Sequence, residues 1–199
     1  VELHRIKDLR EKYEGATVTD ILLSIMTVCL RRYFEARGED VRRLRAKFPV
    51  DLRKRGTDVL RHAMGNHWTA GEYTFHLQYE SVAQVVYSVK DQCDELKRSP
   101  KPKIERCMLQ VLRACSRMRC THRPMSRLLL NTFGKVTAVL SSVMGPTSRV
   151  DFAGHTIDAL EFYTLCPIGL YYGFMSYNGQ VSAGIVLDAD VGDAAELAK

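Results

Sequence analysis

The sequence predicts a layered α/β (α+β) protein in which helices cover a mixed β-sheet. Apolar residues recur at helical spacing in four segments and alternate at strand spacing in several others. The order of helices, strands, two helices and then several strands is typical of such layers. With 199 residues, 46% of them hydrophobic, the chain can bury one sizeable core. We therefore expect residues 1–199 to form a single domain.

The strongest local signal is a β-hairpin near the C-terminus. Residues 170–188 predict two aromatic and aliphatic strands joined at Asn178-Gly179. A two-residue turn needs positive φ at both central positions, which Asn and Gly adopt at the least steric cost. Small residues in the arms predict that both strands are central and that another part of the chain packs closely on them. These small residues are Gly173, Ala183 and Gly184.

Two helices are predicted to begin the chain. Residues 1–13 form a short amphipathic pattern, and Gly15 is its predicted C-cap. Thr17 is the predicted N-cap of the second helix, and Asp20 lies where an acid favours the positive helix end. Residues 21–34 are apolar almost all round, which is typical of a helix buried on several sides.

Strands and a third helix are predicted to follow. Pro49 argues against a helix, and residues 46–50 indicate a strand that ends in a loop. Residues 51–64 are polar and basic, and we expect an excursion from the fold there. The alternation over residues 69–79 predicts a strand with one buried face. Ser81 is expected to begin the third helix.

The last part of the chain is predicted to be mostly strand. Residues 104–118 first form a further helix with an apolar stripe, and residues 135–143 are strand-like. Residues 152–157 are a short segment with a tight turn at Gly154. After the hairpin, residues 194–199 begin a helix.

Composition narrows the protein class. No apolar run reaches the roughly 18 residues of a membrane-spanning helix, and no signal-peptide pattern is visible. Because the sequence begins at Val1 rather than Met, we expect a fragment of a longer protein. The six cysteines fall mostly at apolar helix positions without a Cys-x2-Cys pair. We therefore expect core thiols in a reducing compartment and no metal site.

The net charge of +6 is unevenly distributed. Residues 31–61 and 97–127 are basic, whereas the chain after residue 150 is acidic. Basic segments attract phosphates, whether in nucleic acid, a lipid surface or coenzyme A. Aromatic residues are not interleaved with the arginines, which argues against a nucleic-acid stacking platform.

The basic segment 103–119 is the clearest functional signal from the residues alone. An apolar stripe backed by arginines is what a helix on a membrane surface needs. A helix that covers the core of a basic protein shows the same pattern. Both interpretations stay open at this point.

The histidines form no evident catalytic constellation. His4 and Asp8 have the spacing at which a carboxylate orients a general base, but they lie on a charged amphipathic helix. His67 and His76 lie nine residues apart on a turn and a strand, which would allow the fold to bring them together. We expect ordinary structural or surface histidines, since no evident serine or cysteine partner accompanies His62, His67, His76, His122 or His155.

Five short motifs follow one another along the chain. They are Thr17-Val18-Thr19-Asp20, Phe48-Pro49-Val50-Asp51-Leu52-Arg53, Gly65-Asn66, Ser142-Val143-Met144-Gly145-Pro146 and Ser176-Tyr177-Asn178-Gly179. In order and spacing they resemble the C-terminal half of the bifunctional wax ester synthase/diacylglycerol acyltransferase family. That family has Thr-Val-Asn-Asp, Pro-Val-x-x-Arg, Gly-Asn, Asn-Val-Pro-Gly-Pro and Ser-Tyr-Asn-Gly. The chain departs from it at Thr19, at Ser142 and at Met144, which stand where the family has Asn, Asn and Pro.

The resemblance implies one half of the coenzyme-A-dependent acyltransferase fold, in which two similar halves enclose a tunnel. It implies an O-acyltransferase that moves a fatty acyl group from acyl-CoA to a fatty alcohol or diacylglycerol, making wax esters or triacylglycerol. Acyl-CoA is then a substrate, and no bound cofactor is expected. The family's catalytic His-His-x-x-x-Asp-Gly motif belongs to the N-terminal half, which would be the missing partner. No catalytic residue is therefore expected in this chain.

The resemblance also places the motif positions beside the tunnel or between the two halves. These positions are Thr19, Asp20, Gly65, Asn66, Ser142, Gly145, Pro146, Ser176, Tyr177, Asn178 and Gly179. It implies a location on the cytoplasmic side, with peripheral contact to endoplasmic reticulum, plasma membrane or lipid droplet. The departures leave a second interpretation open, a degenerate, non-catalytic lipid- or membrane-binding module.

Overall fold

A computed structural model describes most of the chain. The described residues are 1–51, 67–101, 104, 106–107, 110–111, 127, 135–164, 169–190 and 192–198. The helices with bounds in these ranges are α1 (Leu3–Glu11), α2 (Val18–Ala36), α3 (Val82–Arg98) and α4 (Ala194–Leu197). The strands are β1 (Arg43–Asp51), β2 (Trp68–His76), β3 (Ala138–Met144), β4 (Asp151–Phe152), β5 (His155–Thr156), β6 (Leu170–Tyr177) and β7 (Gln180–Leu187).

A mixed sheet lies at the centre of the described chain. Its five strands have the order β2-β1-β3-β6-β7. The pairs β1–β3 and β3–β6 are parallel, whereas β1–β2 and β6–β7 are antiparallel. β4 and β5 form a separate two-stranded hairpin. The predicted class, a layered α/β fold with a mixed sheet, is confirmed.

The core lies between the sheet and a layer of helices. α2 packs against α3 and α1, and α3 packs against β2. Alternate residues of β2 are buried, as the sequence pattern predicts, and Phe75 is fully buried. Ile21 and Leu30 of α2 and Leu140 of β3 are also at most 1% exposed. The apolar stripes of the helices are therefore what cover this face of the sheet.

The first two helices agree with the sequence-based prediction except at the end of the first helix. Thr17 caps α2, as predicted, because its hydroxyl accepts a hydrogen bond from the Asp20 N–H (3.3 Å). α1 is shorter than predicted and ends at Glu11 with Lys12 as its C-cap. The predicted C-cap Gly15 is wrong, since this residue has φ +70° in the turn between the two helices.

The predicted hairpin is confirmed at Asn178-Gly179. These residues have φ +46° and +75°, and Tyr177 lies opposite Gln180. The expectation that both arms are central strands is wrong for β7, which is the edge strand of the described sheet. The N-terminus covers this edge. The Leu3 N–H donates to the Gly179 carbonyl (2.8 Å), and the Val181 N–H donates to the Val1 carbonyl (2.6 Å).

The predicted close packing on the hairpin is confirmed. Gly173 and Gly184 lie opposite each other on β6 and β7. A Cβ atom at Gly184 would come within 3.0 Å of the Phe162 carbonyl, and one at Gly173 within 2.7 Å of the Tyr171 hydroxyl. The segment around Phe162 therefore lies directly on the backbone of this glycine pair.

Several strand boundaries differ from the prediction. β1 runs through Pro49 to Asp51 instead of ending in a loop, and β2 ends at His76 rather than at residue 79. β3 begins at Ala138, three residues later than expected. Pro49 is tolerated within β1 because the β1–β3 pairing stops before it. Residues 52–64 and most of the predicted helix 104–118 lie outside the described residues.

Replacing Gly179 by Ala should destabilise the hairpin through the backbone alone. No atom lies within 4 Å of a Cβ placed there, so the cost comes from the positive φ and should be about 1 kcal/mol. Urea denaturation measures this change in the free energy of unfolding. Gly179→Asn should lose less, because Asn tolerates this conformation. Equal losses for the two variants would contradict the conformational explanation.

Candidate functional site

Three of the sequence motifs meet at one edge of the sheet. β1, β3 and β6 run in the same direction, so their carboxyl ends lie on the same side. We call residues 49–51, 142–146 and 176–179 at these ends the carboxyl edge. In parallel and mixed sheets this edge is where ligands commonly bind.

Two backbone hydrogen bonds join the later motifs. The Gly145 N–H donates to the Ser176 carbonyl (2.9 Å), and the Asn178 N–H donates to the Pro146 carbonyl (3.0 Å). A Cβ atom at Gly145 would collide with the Ser176 carbonyl oxygen. Position 145 therefore needs glycine so that the turn after β3 can lie against the end of β6.

Tyr177 fastens the β4–β5 hairpin to this edge. Its hydroxyl accepts a hydrogen bond from the Val150 N–H (3.0 Å) and donates one to the Ile157 carbonyl (2.7 Å). The Ile157 N–H in turn donates to the Val150 carbonyl (2.9 Å). Because Tyr177 is buried and both functions of its hydroxyl are engaged, its role here is structural.

The sheet opens between β1 and β3 at the carboxyl edge. The two strands pair only at Ala46–Lys47 and Ala138–Val139. Beyond this point β1 stays paired with β2 as far as Asp51, and β3 stays paired with β6 as far as residue 144. The chain leaves β1 toward one side of the sheet and leaves β3 toward the other, so this is a topological switch point. We call the gap between residues 48–51 and 140–144 the split.

The backbone of β3 presents polar groups to the split. Successive residues of a strand direct their N–H and C=O groups to opposite sides. Since Gly145 bonds to Ser176 of β6, Val143 faces β6 as well. Ser142 and Met144 therefore face β1, and within the described residues their N–H groups have no ladder partner there.

Pro49 explains why the pairing stops. The Leu77 N–H donates to the Arg42 carbonyl, so even-numbered residues of β1 face β2 and odd-numbered residues face β3. In the observed register the next hydrogen bond would run from residue 49 to the Leu140 carbonyl. Proline has no N–H, so this bond cannot form. The motif residue Pro49 thus keeps the split open.

The first motif lies apart from these interactions. Asp20 is 1% exposed, and its Oδ2 accepts hydrogen bonds from the Thr17 N–H and hydroxyl (both 2.8 Å). Burial, and after it the adjacent Asp20 carboxylate, raise the pKa of the Cys93 thiol on α3 to about 12. Thr19 is half-buried on the same turn. Asp20 therefore holds the start of α2 in place through its bonds to Thr17 and lies against Cys93 of α3.

The histidines do not converge. His4 is exposed and lies 3.7 Å from Glu2, and Asp8 is exposed on the same helix. The fold does not bring His67 and His76 together, because His67 directly precedes the extended strand β2 and His76 ends it, roughly 30 Å away at strand rise. His67 lies beside Arg106 instead (3.3 Å). Gly65 and Asn66 lie outside the described residues.

A cavity of about 370 Å³ lies between β2 and the end of α3. Gly71, Gln92 and Leu96 are among its lining residues, and none of the motif residues is. In the part of the chain that is described, no helix is both long and apolar enough to cross a membrane. The motifs, rather than this cavity, therefore define the candidate site.

Comparison with known families agrees with the motifs. A family model described as the WS/DGAT C-terminal domain matches residues 64–199. The chain belongs to this family. The matched residues include three of the five motifs, since the Thr17–Asp20 and Phe48–Arg53 motifs precede residue 64. No curated protein matches the WS/DGAT chain significantly in sequence.

Solved structures of low identity share its fold. The wax ester synthase/diacylglycerol acyltransferase from Marinobacter aquaeolei VT8 is 18% identical, with a TM-score of 0.64. This alignment covers 98% of the chain and 43% of the Marinobacter protein. An epimerization domain of tyrocidine synthetase B is 14% identical, with a TM-score of 0.59, over 100% of this chain and 43% of that one. The WS/DGAT chain thus spans less than half the length of these proteins.

The split was not foreseen from the sequence. Pro49 inside an apolar strand pattern is the available signal, and the pattern around it predicts a strand that ends in a loop. The sequence does not show that residue 49 faces β3 rather than β2, because this depends on how β1 pairs with both of these strands.

Gly145→Ala should be clearly destabilising. The added methyl group meets a backbone oxygen that cannot move without disturbing β6, and the hydrogen bond to Ser176 would be lost. We expect a loss of about 2–4 kcal/mol in urea denaturation. The matched control is Gly154→Ala, which has φ +81° but open space and should lose about 1 kcal/mol. A control that loses as much as Gly145→Ala would contradict the steric explanation.

Proline substitutions test which side each residue of β3 faces. Met144→Pro should range from neutral to about 1 kcal/mol more stable, because it removes no ladder hydrogen bond and stiffens the unfolded chain. Val143→Pro should lose about 1–3 kcal/mol, because it removes a bond to β6. Thermal unfolding of the two variants gives the comparison, and a reversed order would show that the assigned facing is wrong.

Proposed function

We propose that the WS/DGAT chain is the C-terminal half of an O-acyltransferase that moves a fatty acyl group from acyl-CoA to a fatty alcohol or diacylglycerol. The observation that carries the proposal is the convergence of the family motifs at residues 49–51, 142–146 and 176–179 on the carboxyl edge, beside a topological switch point. A site at this edge can accept a substrate that enters between two halves of a larger protein.

In this proposal the catalytic base comes from an N-terminal half. A histidine there takes the proton of the alcohol hydroxyl, and the alcohol oxygen forms the new ester bond to the thioester carbon. The bond between that carbon and sulfur breaks, and the coenzyme thiolate receives the proton. His4 follows the Leu3–Gly179 contact, but its side chain is exposed with its Nε2 3.7 Å from a Glu2 carboxylate oxygen, and Asp8 is exposed one turn further along α1. This exposure supports assigning the base elsewhere.

The contribution of this chain is then positional. Gly145 and Ser176 hold the ends of β3 and β6 together, and Tyr177 fixes the β4–β5 hairpin beside them. Exposed apolar side chains at this edge offer a surface for hydrocarbon. They are Val143, Met144 and Phe152, which are 42%, 86% and 74% exposed. Peripheral contact with a membrane or a lipid droplet would bring lipid substrates to the same edge.

The test is acyl transfer by the full natural protein that contains this chain. With palmitoyl-CoA as donor, we expect an ester product with hexadecanol or with diacylglycerol and release of free coenzyme thiol. The 199-residue chain alone should give no product, because it would lack the base. Turnover by the 199-residue chain would overturn this placement of the base.

A lipid-binding role without catalysis is the alternative that this assay separates. If the full protein binds phospholipid vesicles but transfers no acyl group to either alcohol, the acyltransferase proposal fails. Gly154→Ala in the full protein serves as a control that should keep activity, since Gly154 lies in the open turn of the β4–β5 hairpin.

A further inference from the structure

We propose that the groove between β2 and α3 binds an extended segment of a partner protein that carries basic side chains at alternate positions. β2 is an outer strand of the described sheet, at the opposite margin from β7. None of the motif residues lines this groove, so such a partner is separate from the proposed acyl transfer. The groove has the length, the unpaired backbone edge and the acidic wall that an extended basic segment needs.

The groove runs along β2 from residue 70 to residue 76, roughly 20 Å at strand rise. A Cβ atom at Gly71 would come within 2.6 Å of the Leu96 side chain, and the Thr74 N–H donates to the Gln92 side chain (3.2 Å). α3 therefore runs antiparallel to the strand. Cavities of about 370, 240 and 570 Å³ lie along this contact, and they share Gln92 as a lining residue.

The backbone of β2 presents unpaired donors to the outside of the sheet. The Leu77 N–H donates to the Arg42 carbonyl, so odd-numbered residues of β2 face β1 and even-numbered residues face outward. Three of the outward N–H groups have no partner among the described residues, and they belong to Ala70, Glu72 and His76. An open edge of this kind adds an extended chain as a further strand.

Gln92 shows where the main chain of a bound segment would lie. Its carboxamide oxygen accepts the outward N–H of Thr74 at 3.2 Å. A carboxamide has the same acceptor as a peptide bond, so this contact reproduces one hydrogen bond of an added strand. Gln92 is only half-buried, and a bound segment can displace its side chain. The edge is therefore already arranged to bond an amide at this position.

The wall of the groove on α3 is acidic. Asp91 and Glu95 are exposed, line the groove and have no ion pair among the described residues. They lie one helix turn apart, about 6 Å along the axis, which is close to the roughly 6.6 Å between alternate residues of a strand. Basic side chains at positions i and i+2 of a bound segment would therefore meet both carboxylates. The basic groups that line the groove, Lys101 and His76, lie at its two ends.

The same carboxylates disfavour a second copy of this chain in the groove. Two β2 strands that paired edge to edge would bring two α3 helices, each with Asp91 and Glu95, to one junction. Like charges that face each other across an interface oppose association. A basic segment of a different protein has the complementary charge.

The first test is the binding of a synthetic peptide to the full natural protein that contains this chain. The probe is a capped, fluorescent six-residue peptide that alternates lysine and valine, and its matched control has glutamate in place of lysine. We expect saturable binding of the lysine peptide in fluorescence anisotropy and about tenfold weaker binding of the glutamate peptide. Equal binding of the two peptides, or no binding of the lysine peptide, would overturn the proposal.

Hydrogen exchange locates the bound peptide. We expect the lysine peptide to slow backbone exchange at residues 70–76 and to leave residues 181–187 of β7 unchanged, because only the outward N–H groups of β2 become bonded. Unchanged exchange at residues 70–76 would place the peptide elsewhere and contradict the proposal. Full protection of these residues in the free monomer would mean that the natural protein fills its own groove. Protection that grows with self-association would assign the edge to a second copy. Either result would overturn the proposal.

Removing the two carboxylates tests the acidic wall. Asp91→Asn combined with Glu95→Gln should raise the dissociation constant of the lysine peptide about fivefold at low salt. The matched control combines Asp158→Asn with Asp190→Asn, which removes two exposed carboxylates outside the groove. The control should bind as the natural protein does. A loss as large in the control would reveal a general charge effect and rule out this site.

A pair of proline substitutions tests the backbone edge. Ala70→Pro removes an outward N–H and leaves the β1–β2 ladder intact, so the dissociation constant should rise about fivefold. The matched control is Ala183→Pro on β7, where the N–H points away from β6, as that of Val181 does. The control should keep the natural affinity, and unchanged affinity in Ala70→Pro would overturn the proposal. If thermal unfolding shows that Ala70→Pro does not fold, the carboxylate variants decide.

Discussion

The parallel ladder between β3 and β6 is the interaction on which the other features depend. It runs without interruption from Ala138 opposite Leu170 to Met144 opposite Ser176. Its last step places Gly145 against the Ser176 carbonyl, where only a residue without a Cβ fits. The turn at Asn178 and the anchoring of the β4–β5 hairpin by Tyr177 both follow from that position. A single backbone contact therefore sets the geometry of the carboxyl edge.

The same ladder accounts for the asymmetry of the sheet. β3 is held along its whole length by β6 but only at its first two residues by β1. The strand follows its stronger partner and separates from the weaker one, and Pro49 removes the donor that would oppose this separation. The result is a gap in the interior of a sheet, whereas most unpaired strand edges lie at its margins.

Features that depend on neighbouring residues could be predicted from the sequence, whereas the long-range register of the strands could not. The Asn178-Gly179 turn, the Thr17 cap and the alternation of β2 each depend on neighbouring residues, and each was predicted correctly. The edge position of β7 and its cover by residues 1–3 are long-range features that no local pattern reveals.

The same distinction between local and long-range features applies to the residues of the candidate site. The Ser142–Pro146 and Ser176–Gly179 motifs were identified as short sequences, and their convergence required the parallel register of β3 and β6. Asp20, chosen with them, is a buried helix-capping group with its bonds directed to Thr17. Which side of β1 Pro49 faces follows only from the pairing of both its neighbours, so the split could not be derived from the sequence.

The pairing of the first residues with the last strand also constrains the order of folding. The Val1 carbonyl and the Val181 N–H are separated by 180 positions in the sequence. The backbone groups at the outer edge of β7 therefore stay unpaired by residues 1–3 until both segments have been made. Contacts of such high sequence separation form late and slow the folding of a domain. At the usual synthesis rates of about 5–20 residues per second, α1, α2 and β1 leave the ribosome many seconds before the hairpin does. The apolar side chains of these elements would be exposed for that time, and chaperone binding is expected there.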